Sequence, residues 1–215
     1  MIYFLDENPK LSAQFLADKH LSPLLCNTCT ALCTVLHNNG IEIPQKTFKN
    51  HTLVDWASIS KGNFEWLRDY AIGLSETFEV RYGRKHKTSI SLLDIPTPED
   101  LPKVGITEFP QMIPDRFKTE TNSVEAYRNY YVHEKAKVSD YKLEPPTWFL
   151  DKLNEAERTM WMDFFEQFDC SLRLYRDRKV GVVIQKQVGT SWITTNELSL
   201  EEQVLIERIL DVNKG

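Results

Sequence analysis

Apolar residues recur every three or four positions through most of the first half of the chain. Phe64, Leu67, Tyr70, Ala71, Leu74 and Phe78 form the clearest stripe, about five helical turns long. They predict a helix over Asn63–Arg81, closed by Gly83. Leu11, Phe15, Leu16 and Ala17 predict a shorter helix over Leu11–His20, capped by Ser12 or by Asn8 ahead of Pro9. Leu25, Cys29, Leu32, Val35 and Leu36 predict a core helix over Pro23–His37, with Gly40 at its stop. Asn122-Ser-Val-Glu125 has the spacing of a capping box and opens a helix expected to reach about Asp140. Pro145-Pro-Thr-Trp-Phe149 then turns the chain into further helix through Phe168. Beyond it the period shortens: Ser171–Arg176 and Val180–Gln187 read as a hairpin around Asp177-Arg-Lys, with Ser191–Thr195 a third strand. A second capping box, Ser199-Leu-Glu-Glu202, opens a terminal helix to Val212.

Residues 94–122 break the helical pattern with Pro96, Pro98, Pro102, Pro110 and Pro114 among Asp, Glu and Thr, and predict a long loop. The apolar content of Phe109-Pro-Gln-Met-Ile-Pro114 favours an ordered one. The expected architecture is mainly α: a helical domain over residues 1–154, then an appendage of helix, β-hairpin and helix over residues 155–215.

Composition narrows the class. The chain has 215 residues, 26 Lys+Arg against 31 Asp+Glu, and a formal charge of -5, so binding to nucleic acid would require a local basic patch. No apolar stretch approaches the ~20 residues of a membrane span, and Met1-Ile-Tyr-Phe-Leu-Asp lacks the basic start of a signal peptide. A cytoplasmic protein without membrane partners is expected. Cys26, Cys29 and Cys33 lie on one helical stripe and Cys170 stands apart; reduced thiols and neither metal nor cofactor are the expectation, because no fourth ligand accompanies the three.

The chain has no Walker loop, GxGxxG, GxSxG or HExxH. What remains is polar clusters on a helical scaffold: Asp18-Lys-His20, Asn27, His51 with Trp56, the run Arg81-Tyr-Gly-Arg-Lys-His-Lys, and Tyr127 to Lys135. Asp18-Lys-His20 and Arg81–Lys87 can each be read as the solvated C-terminal end of a helix. Tyr127, Tyr130 and Tyr131 beside Arg128 and Lys135 suit base stacking with phosphate binding. At i and i+4, Tyr127 and Tyr131 equally suit the core.

Five motifs in order carry a family resemblance: Asp18-Lys-His20, His51…Trp56, Arg81-Tyr-Gly-Arg-Lys-His86, Phe109-Pro-Gln-Met-Ile-Pro114 and Glu125-Ala-Tyr-Arg-Asn-Tyr-Tyr131. Leu16-Ala-Asp-Lys-His-Leu, Gly62-Asn-Phe-Glu-Trp-Leu-Arg and Tyr131-Val-His-Glu…Pro145-Pro-Thr-Trp-Phe149 accompany them. Over about residues 1–150 the chain resembles the bacteriophage pyrimidine-dimer DNA glycosylase (endonuclease V) family and the phage and bacterial proteins similar to it. The resemblance implies a compact helical domain that binds and bends duplex DNA and reaches an extruded pyrimidine. In that family the amine at the chain start attacks the sugar to form an imine, and a glutamate on the second helix assists.

Carried over by motif, Asp18, Lys19, His20 and Asn27 become the catalytic candidates. His51, Trp56, Asn63, Arg81, Arg84, Lys85, His86, Gln111, Tyr127, Arg128, Tyr131 and Lys135 become the DNA- or substrate-binding ones. The glutamate position falls at Asn27, whose amide cannot take up a proton, and Ile2 hinders removal of Met1 to free a new amine. Both departures favour modification over excision: group transfer to an activated hydroxymethylpyrimidine, with cations near His20 holding a phosphate leaving group and His20 or Asp18 accepting a proton. Two other readings stand beside it. One is a noncatalytic nucleotide- or protein-binding phage protein that keeps the fold. The other is an interaction protein that dimerises through the C-terminal hairpin and helix, with Trp192 and Val182 exposed. The pattern sets no oligomeric state.

Overall fold

Asn8 starts the first helix: its side chain accepts from Lys10 N and Leu11 N, and Pro9, with no N–H to satisfy, fills the first helical position. This helix, α1 (Pro9–Gln14), ends at Phe15 in the computed structural model. The model describes residues 2–42, 48, 50–88, 95–135, 140–155, 172–177, 181–188, 191–195, 200, 203, 204 and 206. The chain divides into two compact units, Met1–Phe149 and Leu150–Gly215.

One helix was expected over Leu11–His20; two are found. Ala17 is extended at ψ 154, and α2 (Asp18–Asn38) begins immediately after it. Distant groups take the backbone atoms that a continuous helix would pair internally. Arg81 donates to the Gln14 and Leu16 carbonyls, both at 2.6 Å, Ala17 N donates to Tyr131 Oη at 2.7 Å, and Asp18 N donates to Asp140 O at 2.9 Å. Ser12 is not the cap but a buried brace for the extended start, donating to Tyr3 O and accepting from Leu5 N.

Helix α2 contains Pro23 in its second turn and so begins five residues before the expected Pro23. It closes as foreseen at Gly40, φ 75, where Gly40 N donates to His37 O and Ile41 N to Leu36 O, the paired bonds of a Schellman motif. A short helix that the apolar pattern does not announce, α3 (Thr52–Ala57), is capped by the His51 ring. Helix α4 (Lys61–Tyr82) carries the strong stripe, with Ser60 as cap and Gly83, φ 66, as terminator. At Gly73 a Cβ would lie 3.0 Å from Lys10 Cα, so the missing side chain lets α1 cross α4 closely.

The core forms around Tyr3, Phe4 and Leu5, all fully buried. Phe4 stacks on Phe109 with ring centroids 4.5 Å apart, and Trp66, Trp56 and Tyr127 surround it at 4.9, 5.2 and 5.5 Å. Residues 95–122 follow a long path with only one short turn of 3-10 helix, Asp115–Phe117. Helix α5 (Ser123–Lys135) starts where the capping box placed it, Glu125 N donating to Asn122 Oδ1 at 2.9 Å. Its expected continuation to Asp140 crosses residues 136–139, outside the described ones. Residues 147–155 form α6, whose expected extension to Phe168 is likewise outside.

In the second unit, β1 (Leu172–Asp177), β2 (Gly181–Val188) and β3 (Ser191–Thr194) form an antiparallel sheet in that order, with Tyr175 opposite Val183 and Gln187 opposite Trp192. The side chains of Val182 and Trp192, and Cys170, lie outside the described residues. Of the expected terminal helix, Leu200, Gln203, Val204 and Ile206 are described and helical. The protein is therefore mainly α with a small antiparallel sheet near its C-terminus. No described helix is long and apolar enough to cross a membrane.

Candidate functional site

The break between α1 and α2 sets the site. It puts Asp18 at the first position of α2, where a carboxylate favours the positive end of the helix dipole. Asp18-Lys-His20 is thus the start of a helix, not the solvated C-terminal end that its cations suggest. Arg81, at the end of α4, donates to Asp18 Oδ1 at 2.9 Å, and Lys142 N donates to the other carboxylate oxygen at 2.9 Å. The Arg81 side chain is 4% exposed and the Asp18 side chain 11%. With the two carbonyls it also serves, Arg81 is a strut whose terminal nitrogens are engaged.

His20 sits two residues beyond Asp18, about half a turn on and so on the other side of α2. Its ring centroid is 6.0 Å from that of Tyr131, and its Nε2 is buried with no hydrogen-bond partner among the described residues. Burial, reinforced by the neighbouring charges of Lys19 and Lys135, lowers its pKa to about 4. At neutral pH the imidazole is uncharged and can both give and take a proton. The Tyr131 hydroxyl, held by Ala17 N and by Tyr141 Oη at 3.2 Å, anchors this corner from α5.

The basic run docks on the side of α2 away from His20. His86 Nε2 lies 2.9 Å from Ser22 Oγ, while His86 Nδ1 accepts from Thr88 N at 3.2 Å, so Nε2 carries the proton in the neutral ring and donates to Ser22. Burial lowers the His86 pKa, and Arg84 and Lys87 lower it further. Lys142 Nζ lies 4.5 Å from the centre of the Tyr82 ring, and Lys135 Nζ 5.4 Å from that of Tyr130.

Most described cations in this unit fall into two kinds. Lys10, Lys61, Arg68, Arg81, Arg116, Lys118 and Arg128 each face a carboxylate. Lys19, Arg84, Lys85, Lys87, Lys103 and Lys142 are exposed and have no ion-pair partner among the described residues. Four of these six, Lys19, Arg84, Lys85 and Lys87, belong to the start of α2 or to the run that docks on it through His86; Lys142 lies over Tyr82, and Lys103 is on the long loop. A local basic face therefore exists on a chain of net charge -5.

The remaining candidates lie elsewhere. Asn63 is fully buried: its Nδ2 donates to Trp56 O and Thr107 Oγ1, both at 2.8 Å, and its Oδ1 accepts from Thr107 N at 2.8 Å. Trp56 Nε1 donates to Glu108 O at 2.9 Å, Gln111 exchanges two bonds with the Thr119 backbone, and the Tyr127 hydroxyl bridges Met112 N and Pro110 O. Trp56, Asn63 and Tyr127 pin the long loop to the core, and Gln111 ties the loop to itself. Asn63 and Arg81 stand 18 residues apart on α4, about 27 Å at 1.5 Å per residue. Arg128 binds Leu5 O and Asp6 and lies over Trp148, with 4.8 Å to the ring centroid.

His51 stacks on Phe48 and accepts from Leu53 N through Nδ1; burial lowers its pKa. Phe48 N in turn donates to Thr34 Oγ1, fourteen residues and about 21 Å along α2 from His20. Asn27 is half-buried two turns along α2 from His20. The candidates thus form no single pit: Asp18, Lys19, His20, Arg81, Arg84, Lys85, His86, Tyr131 and Lys135 gather at one end of the bundle, whereas Trp56, Asn63, Gln111 and Tyr127 serve the loop.

Ser22, Tyr82, Tyr141 and Lys142 complete this end and were not candidates; Tyr141-Lys142 follows the α5 helix without any periodic signal to mark it. Cys26 is exposed, Cys29 and Cys33 are buried, and burial raises the Cys29 pKa to about 12, which makes it an inert thiol. No group of three His, Cys, Asp or Glu among the described residues could hold a metal ion. No family model, curated protein or solved structure matches the chain.

Proposed function

We propose that the chain binds DNA through the basic face around the first turn of α2 and acts there on a pyrimidine base. The observation that carries this reading is that exposed cations without a carboxylate partner, Lys19, Arg84, Lys85 and Lys87, flank the start of α2, the helix that also holds the uncharged His20, on an otherwise acidic protein. The motifs of residues 18–20 and 81–86, which suggested the phage glycosylase family, are the ones that meet at this face. His20 is the group that exchanges a proton with the substrate, and the amide at Asn27 favours group transfer to an activated hydroxymethylpyrimidine over excision.

The test is incubation with ultraviolet-damaged, abasic and hydroxymethylpyrimidine DNA. Borohydride trapping reads excision through an imine, and mass spectrometry of digested nucleosides reads modification. A changed nucleoside that disappears in His20→Ala supports the proposal, whereas DNA binding with no altered nucleoside removes the enzymatic half of it.

One observation favours a second reading, a noncatalytic protein that binds nucleic acid or nucleotide. Both Asp18 oxygens are already hydrogen-bonded, by Arg81 and by Lys142 N, so Asp18 offers no ready proton acceptor beside His20.

A further inference from the structure

On the flank of Arg81, the first unit carries a concavity of about 450 Å³. Its walls are Phe15 from the α1–α2 junction, Val80 from α4, and Leu143 and Pro146 from the segment after Lys142. Val80 and Leu143 are 72% and 51% exposed, large apolar side chains left open to water beside one another's cavity. Two carboxylates share its rim. Glu76 is held by Lys10 Nζ, 3.1 Å from each oxygen, but Glu144 is exposed and has no ion-pair partner among the described residues.

The charge balance selects the occupant. Arg81 contributes no net charge, because Asp18 answers it. Lys10 likewise answers Glu76. The uncompensated charge of the cavity is the single negative one of Glu144, beside walls that favour an aliphatic stem. An anion would be repelled by Glu144, and a neutral alkane would leave it unanswered. We propose that this cavity binds a primary alkylammonium ion, its carbon stem against Phe15, Val80, Leu143 and Pro146 and its ammonium at Glu144. This site stands apart from the DNA reading, and its failure leaves that reading untouched.

Titration of the full-length protein with hexylammonium, followed by amide NMR, tests the proposal, with 1-hexanol and hexanoate as probes of equal length. Saturable shifts at Gln14, Phe15, Thr77, Val80 and Glu144 are expected, with weaker binding of the alcohol and weakest of the carboxylate. Glu144→Gln, at an exposed position where the fold is unaffected, lowers hexylammonium affinity by roughly threefold to fivefold, the worth of one exposed ion pair. Hexanol binding as tightly as hexylammonium, an unchanged affinity in Glu144→Gln, shifts confined to other residues, or no saturable binding would each overturn it.

Discussion

Arg81 Nη1 donates to Asp18 Oδ1 at 2.9 Å across 63 positions of sequence, tying the last turn of α4 to the first residue of α2. The same guanidinium takes the carbonyls of Gln14 and Leu16, so one side chain closes the gap between two helices. Removing it strands a carboxylate and two carbonyls at once. Arg81→Ala should cost about 3–5 kcal/mol in urea unfolding, as for other buried ion pairs deprived of one partner. Asp18→Asn, which keeps an acceptor oxygen, should cost less. Equal losses in the two variants would show that the carbonyl contacts contribute nothing.

His20 makes stability depend on pH in a defined direction. Its folded pKa, about 4, lies below the ordinary 6.5, so between these values the unfolded chain takes up a proton that the folded chain declines. The contribution of neutral His20 is complete above pH 6.5 and is lost as the pH falls through 4. His51 and His86, also lowered, act with the same sign. In His20→Gln the fall in Tm between pH 6.5 and 4 should be shallower than in the parent. An imidazole NMR titration of His20 with its midpoint near 6.5 would contradict this account.

Gly62 lies under the long loop with no room to spare. A Cβ there would meet Gly105 C at 2.6 Å and Ile106 N at 2.8 Å, both backbone atoms that cannot swing aside. Gly62→Ala should destabilise the protein by about 1–3 kcal/mol and lift residues 104–107 from α4. Faster proteolysis within this stretch, beside unchanged helix content by circular dichroism, is the expected signature.

Asn63 holds the same loop through complementary bonds. Asn63→Asp keeps the shape but exchanges the amide donor to Trp56 O and Thr107 Oγ1 for an acceptor, at zero solvent exposure. The expected loss is about 2–3 kcal/mol at pH 7, from a carboxylate facing the Trp56 carbonyl, and smaller at pH 4, where protonation restores a donor. A pH-independent loss would refute this explanation.

If the exposed cations around α2 meet DNA, Lys85→Ala should weaken binding equally across sequences and reduce the salt slope by about one phosphate contact. Gln111→Ala, at a residue that braces the loop internally, should leave that slope unchanged. A reversal of these two results would move the interface to the loop.

Several features were legible along the chain because their causes act within a few residues. The stripe from Phe64 to Phe78 and the capping box at Asn122 each depend on neighbours one turn away, as do the glycine stops at Gly40 and Gly83. The mainly α architecture and the C-terminal hairpin follow from such signals. The His51 cap and the six residues of α3 did not show, since so short a helix carries too few apolar positions to establish a period.

The candidate site was legible as a set of residue types, not as a place. Asp18-Lys-His20 looks the same whether it closes one helix or opens the next. The choice falls to Arg81, Tyr131 and Asp140, which satisfy the backbone of residues 14–18 from 63 positions or more away. Likewise Asn63 and Arg81 share a helix and a polar character, yet one binds the loop at its start and the other the α1–α2 junction at its end. Periodicity and capping specify which segments become helices; which polar groups meet depends on how those helices cross, because hydrogen bonds and ion pairs reach only about 3–4 Å.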